Sequence, residues 1–191
     1  MLKRRGVSNM ARKATVTKEM ILDSAFALMR EEGFEQVTAR KLAAKAGCST
    51  QPIFRLYENM EQLIGDVYEM AGKDFDEFYA DYPKNDTTPF VNLGMAYIRF
   101  AATRQNVFRL LFMSPYRGDR SMYDLLNHST GAIGMEITKA KEAGVQRPTD
   151  LFMQMWIFIH GAGCMAVTGD YDLDTEASIS MLESAYKAFS L

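Results

Sequence analysis

Residues 38–57 hold two short helical segments on either side of one glycine, and no other part of the chain restricts the fold as closely. Thr38 and Ser49 are placed to cap the two segments, since a hydroxyl there accepts a hydrogen bond from a free amide of the first turn. Gly47 is placed to end the first segment. Pro52 lies in the first turn of the second, where a missing N–H does no harm. The window therefore predicts two helices joined by a tight turn.

Three positions in this window match the physical demands of a helix-turn-helix. Ala43 is small enough for the first helix to approach the second closely, Gly47 suits a left-handed turn, and Ile53 anchors the second helix in the core. The opposite face of the second helix is then free to enter the major groove of DNA. A helical pair that merely packs is the alternative.

Helical periodicity dominates the rest of the chain. Apolar residues recur three and four apart, alternating β-branched runs are absent, and Gly or Pro falls mainly between the periodic segments. Further helices are predicted over about 18–32, 60–79, 88–104, 106–113, 119–143, 149–168 and 174–191. We expect an all-α fold of about nine helices, with an N-terminal three-helix helix-turn-helix domain and a larger C-terminal helical domain.

Charge is divided unevenly along the chain. Residues 1–60 hold 11 Lys and Arg against 6 Asp and Glu, a net charge of +5, whereas residues 61–191 hold 11 against 18, a net charge of −7. A basic N-terminal segment in an otherwise acidic chain suits a protein that binds a polyanion through its N-terminal part. A chance asymmetry of solvated faces is the alternative.

The composition argues against several other classes. No stretch approaches the ~18 consecutive apolar residues of a membrane span, and the first residues lack the apolar core of a secretory signal, so we expect a cytoplasmic protein without membrane contact. Cys48 and Cys164 lack a CxxC spacing and are expected to be small buried hydrophobes. With two histidines and no clustered ligands, neither a catalytic constellation nor a metal or cofactor site is expected. Met10 resembles a natural start, so residues 1–9 are either an extension or part of a native arm.

The sequence resembles the tetracycline-repressor (TetR) family of transcriptional regulators, specifically over residues 17–65. The stretch at 20–38, MILDSAFALMREEGFEQVT, is similar to the family's first helix and the Gly-aromatic turn after it. The stretch at 52–63, PIFRLYENMEQL, is similar to its recognition helix and the start of its fourth helix. WIFIHG at 156–161 is similar to a Trp-x3-His-Gly segment that many members use for dimerisation. The implied domains are a flexible basic arm over 1–16, a DNA-binding domain over 17–60, and an effector-binding and dimerisation domain over 61–191.

The resemblance also implies which residues contact DNA. Gln51 can pair bidentately with adenine, and Phe54 can press on a thymine methyl, with Thr50 and Pro52 beside them. Roles in holding the phosphate backbone fall on Thr38, Arg40, Ser49 and Arg55.

Two positions depart from the family pattern. Leu56 stands where a phosphate-contacting His is frequent, and Met60 replaces the Lys that is usual at the start of the fourth helix. Weaker or differently registered backbone contacts are expected there. Tyr57 occupies an aromatic core position and is expected to pack rather than to contact DNA.

The larger domain is rich in adaptable apolar side chains. Residues 61–191 hold 18 of the 22 aromatic residues and 9 of the 14 methionines, a composition suited to the walls of an effector cavity. The alternative is that these side chains simply fill a core. The candidate wall residues are Phe78, Tyr97, Phe100, Phe112, Tyr123, Met153 and Trp156.

The penultimate helix carries a dimerisation signal. Phe152, Trp156 and His160 share one helical face, and Gly161 and Gly163 follow. Because each glycine costs a helix ~1 kcal/mol relative to alanine, a close helix crossing is their expected compensation. We expect the last two helices to form half of a four-helix homodimer interface, with His160 as a hydrogen-bonded structural residue.

These observations predict a DNA-binding transcriptional regulator rather than an enzyme. The expected protein is a homodimer on a palindromic double-stranded DNA operator, and the resemblance implies a repressor that an unknown small lipophilic effector releases. Two alternatives stay open: a helical interaction module that has lost DNA binding, and an enzyme acting on an apolar substrate.

Overall fold

Every regular element in the part of the chain that the structure describes is helical, as the sequence predicted. The computed structural model describes residues 15–117 and 132–190. Residues 1–14, most of the predicted arm, lie outside these ranges, as do 119–131 of the predicted seventh helix. The helices are α1 (Lys18–Glu32), α2 (Ala39–Lys45), α3 (Gln51–Leu56), α4 (Met60–Asp81), α5 (Val91–Thr103), α6 (Gln105–Phe108), α7 (Ala132–Glu142), α8 (Pro148–Thr168) and α9 (Thr175–Phe189).

Helix α1 begins and ends at the residues that its local sequence indicates. The Thr17 hydroxyl accepts a hydrogen bond from the Met20 amide at 3.2 Å. At the other end Gly33 takes a positive φ of 93° and donates its N–H to the Met29 carbonyl at 2.9 Å. A 3-10 turn, Phe34–Gln36, then leads to α2. Both predicted ends of α1 are confirmed.

A reciprocal pair of side-chain caps fixes the start of α4. The Asn59 side chain accepts from the Gln62 amide at 2.8 Å, and the Gln62 side chain accepts from the Glu58 amide at 2.9 Å. The predicted capping box is therefore present, although its return bond reaches the residue before the N-cap. Two amides are satisfied where the chain turns from α3 into α4.

Helix α5 begins later than predicted, at Val91. The reason is Phe90, whose left-handed backbone (φ 67°) interrupts the helical course. Its N–H donates to the buried carboxylate of Glu136 at 2.5 Å, and the Tyr79 hydroxyl donates to the same carboxylate at 3.0 Å. A contact with a residue 46 positions away sets this boundary.

The single helix predicted over 106–113 is divided in the structure. Helix α6 passes into a π-helical turn, Arg109–Met113, and a 3-10 turn, Pro115–Arg117, follows. Periodicity gives no warning of this change, because apolar residues continue through it.

Helices α5 and α8 cross closely in the core of the larger half. A Cβ added at Gly163 would lie 2.7 Å from Tyr97 Cε1, and one added at Gly94 would lie 3.2 Å from Ile159 Cδ1. The predicted close crossing is confirmed at Gly163. At Gly161 no described atom lies within 4 Å of a Cβ position, so the described part of the chain supplies no crossing there.

Candidate nucleic-acid interface and aromatic cluster

The turn between α2 and α3 has the geometry that its glycine predicts. Gly47 has φ 65° and no described atom within 4 Å of a Cβ position, so the left-handed backbone, not lack of space, requires glycine. The Cys48 N–H donates to the Ala43 carbonyl at 3.0 Å, which closes the turn. Ala43 and Ile53 are both buried in the hydrophobic core. All three key residues of this window lie as predicted.

Helix α3 has one buried and one exposed face. Ile53 is fully buried, whereas the adjacent Phe54 leaves 53% of its surface exposed. Gln51 and Arg55 are exposed beside it. An amide, an aromatic ring and a guanidinium thus stand together on the outer surface of a short helix.

The other predicted DNA-contact residues gather around the starts of α2 and α3. Thr38 caps α2 by accepting from the Lys41 amide at 3.3 Å. Helix α3 begins one residue later than predicted, with Thr50 rather than Ser49 at its N-cap and no side-chain cap bond. Pro52 is half-buried in the first turn. The exposed members of the predicted set are Thr38, Arg40, Ser49, Thr50, Gln51, Phe54 and Arg55.

The basic side chains near this surface differ in their partners. Lys41 Nζ lies 2.6 Å from the Glu32 carboxylate, and Lys45 Nζ lies 2.7 Å from the Glu31 carboxylate. Within the described ranges, Arg40 and Arg55 form no ion pair. Among the described basic side chains of α2 and α3, the two arginines are therefore the ones without an ion pair.

The residues that depart from the family pattern contribute to packing. Leu56 and Met60 are half-buried against the core. Tyr57, between them, is 2% exposed, which confirms its predicted packing role. Burial, together with the charge of nearby Asp66, raises the pKa of Tyr57 to about 12. Lys18 Nζ lies 4.8 Å from the Tyr57 ring centroid and 2.8 Å from the Asp66 carboxylate, which ties α1 to α4.

Seven rings form a connected aromatic cluster in the larger half. The Tyr97 ring centroid lies 4.8 Å from Phe112, 4.9 Å from Trp156 and 5.0 Å from Phe108. Phe75 lies 5.7 Å from Phe112 and 5.0 Å from Phe100, which in turn lies 5.3 Å from Phe78. We call this set the aromatic cluster: Phe75, Phe78, Tyr97, Phe100, Phe108, Phe112 and Trp156.

Five of the seven predicted wall residues belong to this cluster: Phe78, Tyr97, Phe100, Phe112 and Trp156. Met153 is half-buried against the core on α8, and Tyr123 lies outside the described residues. Sequence reasoning missed Phe75 and Phe108. The four-residue spacing of Phe108 and Phe112, which places two rings on one helical face, was an available signal for the latter.

His160 closes one side of the aromatic cluster. Its Nδ1 lies 2.8 Å from the Tyr97 hydroxyl and its Nε2 lies 3.5 Å from Cys164 Sγ. Its ring stacks on Trp156 and Phe108 at interplanar angles of 14° and 15°. Burial lowers the pKa of His160 and raises that of Tyr97, so both groups are neutral. The predicted hydrogen bonding of His160 is confirmed.

Groups able to hold a metal are dispersed. Across residues 15–117 and 132–190, no three His, Cys, Asp or Glu side chains come together as a ligand set. Cys48 and Cys164 are free and only partly buried, contrary to the full burial expected of them. Burial raises the pKa of the Cys164 thiol, which keeps it protonated.

Protein-family models match both the N-terminal and the C-terminal part of the chain. Residues 21–67 match the family described as "Bacterial regulatory proteins, tetR family", and residues 90–186 match "Tetracyclin repressor-like, C-terminal domain". The chain belongs to the TetR family. TetR-family membership supports a DNA-binding transcriptional regulator, and the α2–α3 pair lies within the first match. No curated protein matches the chain by sequence.

Solved TetR-family structures share this fold at low sequence identity. A TetR-like regulator from Rhodococcus superposes with a TM-score of 0.61 at 18% identity, over 88% of this chain and 92% of that chain. A TetR-family regulator from Haemophilus influenzae gives 0.61 at 18% identity, over 89% and 94%. A TetR variant from Acinetobacter baumannii in complex with minocycline gives 0.57 at 15% identity, over 92% and 97%. At these identities the likeness establishes the fold.

Proposed function

We propose that this TetR-family chain is a dimeric cytoplasmic repressor that binds a palindromic operator through α3 and leaves it when a small lipophilic effector binds. The observation that carries this proposal is the two-faced third helix. Ile53 is fully buried in the core, while Gln51, Phe54 and Arg55 are exposed. Contact with a thymine methyl removes the apolar ring of Phe54 from water, which favours binding. The neighbouring Gln51 amide can form hydrogen bonds with adenine.

The ion pairs near α3 indicate which side chains contact the phosphate backbone and which contact the bases. Arg40 and Arg55 flank the helix without an ion pair to a described residue, so both are free to neutralise phosphates. Lys41 and Lys45 are held by carboxylates of α1. We therefore assign backbone contacts to the arginines and to the Thr38 helix start, and base contacts to Gln51 and Phe54.

The homodimer is proposed from the outer faces of α8 and α9. Ile157 is 69% exposed, Met165 47% and Met181 43%, and residues 151–169 contain no Asp, Glu, Lys or Arg. By length and composition alone α8 is also apolar enough to span a membrane. Because its inner face packs on α5, we assign its outer face to a second copy, in a four-helix interface.

The effector site is proposed at the aromatic cluster. Its linked rings offer flat apolar contacts, and Tyr97 and His160 offer polar ones. The minocycline complex of the Acinetobacter relative supports a small-molecule ligand in this fold. Such a ligand binds more tightly to a dimer whose two α3 helices are spaced wrongly for the operator. It lowers operator affinity to the extent that its affinities for the two conformations of the dimer differ. A melting screen with lipophilic compounds tests the site, because a ligand of the folded state raises Tm.

Binding to DNA selected from a random pool tests the operator contact. Fluorescence anisotropy of the selected fragment is followed for the wild type and for a Gln51→Ala, Arg55→Ala double variant. We expect the double variant to lose about 1 to 3 kcal/mol of binding free energy at each half-site, since it removes a bidentate base contact and a charge. We also expect a shallower fall of affinity with added salt, because fewer phosphates are neutralised.

A matched control removes one cation and one amide elsewhere on the surface. Lys141→Ala with Gln146→Ala deletes an exposed cation and an exposed amide beyond α3 and is expected to bind as the wild type does. If both double variants lost the same amount of DNA-binding free energy, the assignment of the DNA contact to α3 would be contradicted. Failure of the wild type to enrich any DNA would favour the interaction module instead.

A further inference from the structure

The segment Leu110–Tyr116 joins the aromatic cluster to the DNA-binding half, and we call it the coupling segment. It contains most of the π-helical turn Arg109–Met113 and the start of the 3-10 turn Pro115–Arg117. Single π-helical turns are uncommon and cluster at functional positions. Each end of the coupling segment contacts a different half of the chain.

The inner end contacts the aromatic cluster and α4. The ring of Phe112 lies 4.8 Å from Tyr97 and 5.9 Å from Trp156. The carbonyl of the adjacent Leu111 accepts a hydrogen bond from the Tyr68 hydroxyl of α4 at 3.2 Å. The Phe112 ring and the peptide that α4 holds are therefore adjacent in the chain.

One buried hydroxyl links the two turns of the coupling segment. Ser114 Oγ donates to the Leu110 carbonyl at 2.6 Å and accepts from the Tyr116 amide at 3.2 Å. Ser114 is only 9% exposed, so water competes little for these bonds. Tyr116 is thereby held in a fixed relation to the end of the π-helical turn.

The outer end contacts the DNA-binding half directly. The Tyr116 ring meets the Phe34 ring edge-on, with centroids 5.6 Å apart and an interplanar angle of 82°. Phe34 begins the 3-10 turn before α2, and its carbonyl accepts from the Val37 amide at 3.1 Å. The next residue, Thr38, caps α2. The position of Phe34 therefore affects where α2 begins, and α3 follows α2 through the turn that the Cys48 N–H closes on the Ala43 carbonyl.

We propose that Ser114 and Tyr116 are positioning residues that transmit rearrangements of the aromatic cluster to Phe34, and so to α2 and α3. The inference rests on the proposed function, because it couples the effector site to the DNA site. Such coupling is reciprocal: if the cluster affects DNA binding, then DNA binding perturbs the cluster equally. It is therefore measurable with DNA alone, before any effector is known.

Trp156 makes the measurement direct, because it is the only tryptophan of the chain and lies in the aromatic cluster. Full-length protein labelled with fluorotryptophan gives one fluorine resonance. The selected DNA fragment is added at saturation, and anisotropy confirms binding in the same samples. We expect DNA to shift this resonance in the wild type. Tyr116→Leu and Ser114→Ala are expected to lose most of that shift while still binding DNA.

Tyr116→Phe is the matched control, since it keeps the ring edge on Phe34 and removes only the hydroxyl. It is expected to retain the wild-type shift. Should Tyr116→Leu fail to fold by circular dichroism, Phe34→Leu breaks the same contact from the other side and is expected to give the same loss.

Three results would overturn the inference with DNA binding intact: no shift in the wild type, a full shift in Tyr116→Leu, or an equal loss in Tyr116→Phe. Absence of any DNA binding by the wild type in the anisotropy measurement would overturn the proposed function, and this inference with it. The anisotropy and the resonance thus separate the two failures.

Discussion

At the scale of single residues, Gly47 and Gly72 allow one substitution to be compared in two backbones. No described atom lies within 4 Å of a Cβ added at either position, but Gly47 has φ 65° whereas Gly72 lies inside α4. We expect Gly47→Ala to lower the free energy of unfolding by about 1 to 2 kcal/mol, because L-residues resist the left-handed region. Gly72→Ala is expected to raise it by about 0.5 to 1 kcal/mol. Urea denaturation measures both, and changes of the same sign would contradict the backbone explanation.

His160 makes stability depend on pH. Burial lowers its pKa, so the unfolded chain takes up a proton that the folded chain resists. The free energy of unfolding therefore has its full His160 contribution above the ordinary pKa of about 6.5 and falls as the pH drops below it. We expect His160→Gln to show a shallower loss over this acidic range. Parallel slopes for the two proteins in denaturation at several pH values would show that His160 is not responsible.

At the scale of secondary-structure elements, the caps of α4 and α3 differ in a way that stability can report. The Asn59 side chain accepts from the Gln62 amide at 2.8 Å, whereas the Thr50 side chain at the start of α3 makes no cap bond. Asn59→Ala is expected to cost about 1 kcal/mol of unfolding free energy. Thr50→Ala is the matched control and is expected to change it little. A cost for Thr50→Ala that equals the cost for Asn59→Ala would mean that the hydrogen bond is not the cause.

The helix boundaries also show which parts of the fold are legible in the sequence. Starts at Thr17, Thr38 and Asn59 were predictable, because each cap acts on an amide within the next turn. The start of α5 was not, because the Phe90 amide is held by Glu136, 46 residues away. The π-helical turn at Arg109–Met113 was equally hidden, since its apolar residues continue the helical pattern. Local chemistry sets the first group of boundaries and tertiary contacts the second.

The two candidate sites likewise differ in whether local sequence or tertiary contacts determine the positions of their residues. Exposure of Gln51, Phe54 and Arg55 follows from one anchor, Ile53, at helical spacing, so sequence alone placed the three residues on one surface. Membership of the aromatic cluster depends on how α4, α5 and α8 cross, which no local pattern encodes. Sequence reasoning therefore missed Phe75 of α4, whose ring centroid lies 6.0 Å from that of Tyr97.

At the scale of the whole molecule, the proposed dimer interface on the outer face of α8 predicts that two α3 helices act together only when this face is intact. Ile157 is 69% exposed there, so Ile157→Glu removes little packing within one chain and places a charge at the centre of the proposed dimer interface. We expect this variant to sediment as a folded monomer. Because a palindromic operator needs two α3 helices about 34 to 36 Å apart, its affinity is expected to fall by about 100- to 10,000-fold, the avidity of a linked second site.

Met135→Glu provides the control for this experiment. Met135 is 60% exposed on α7, a helix that is not part of the proposed interface, so its replacement adds the same charge elsewhere on the surface. It is expected to remain a dimer and to bind DNA as the wild type does. If Ile157→Glu also stays dimeric, the two copies meet elsewhere. If it becomes monomeric yet binds the operator at full affinity, a single α3 suffices, and the geometry of paired half-sites is wrong.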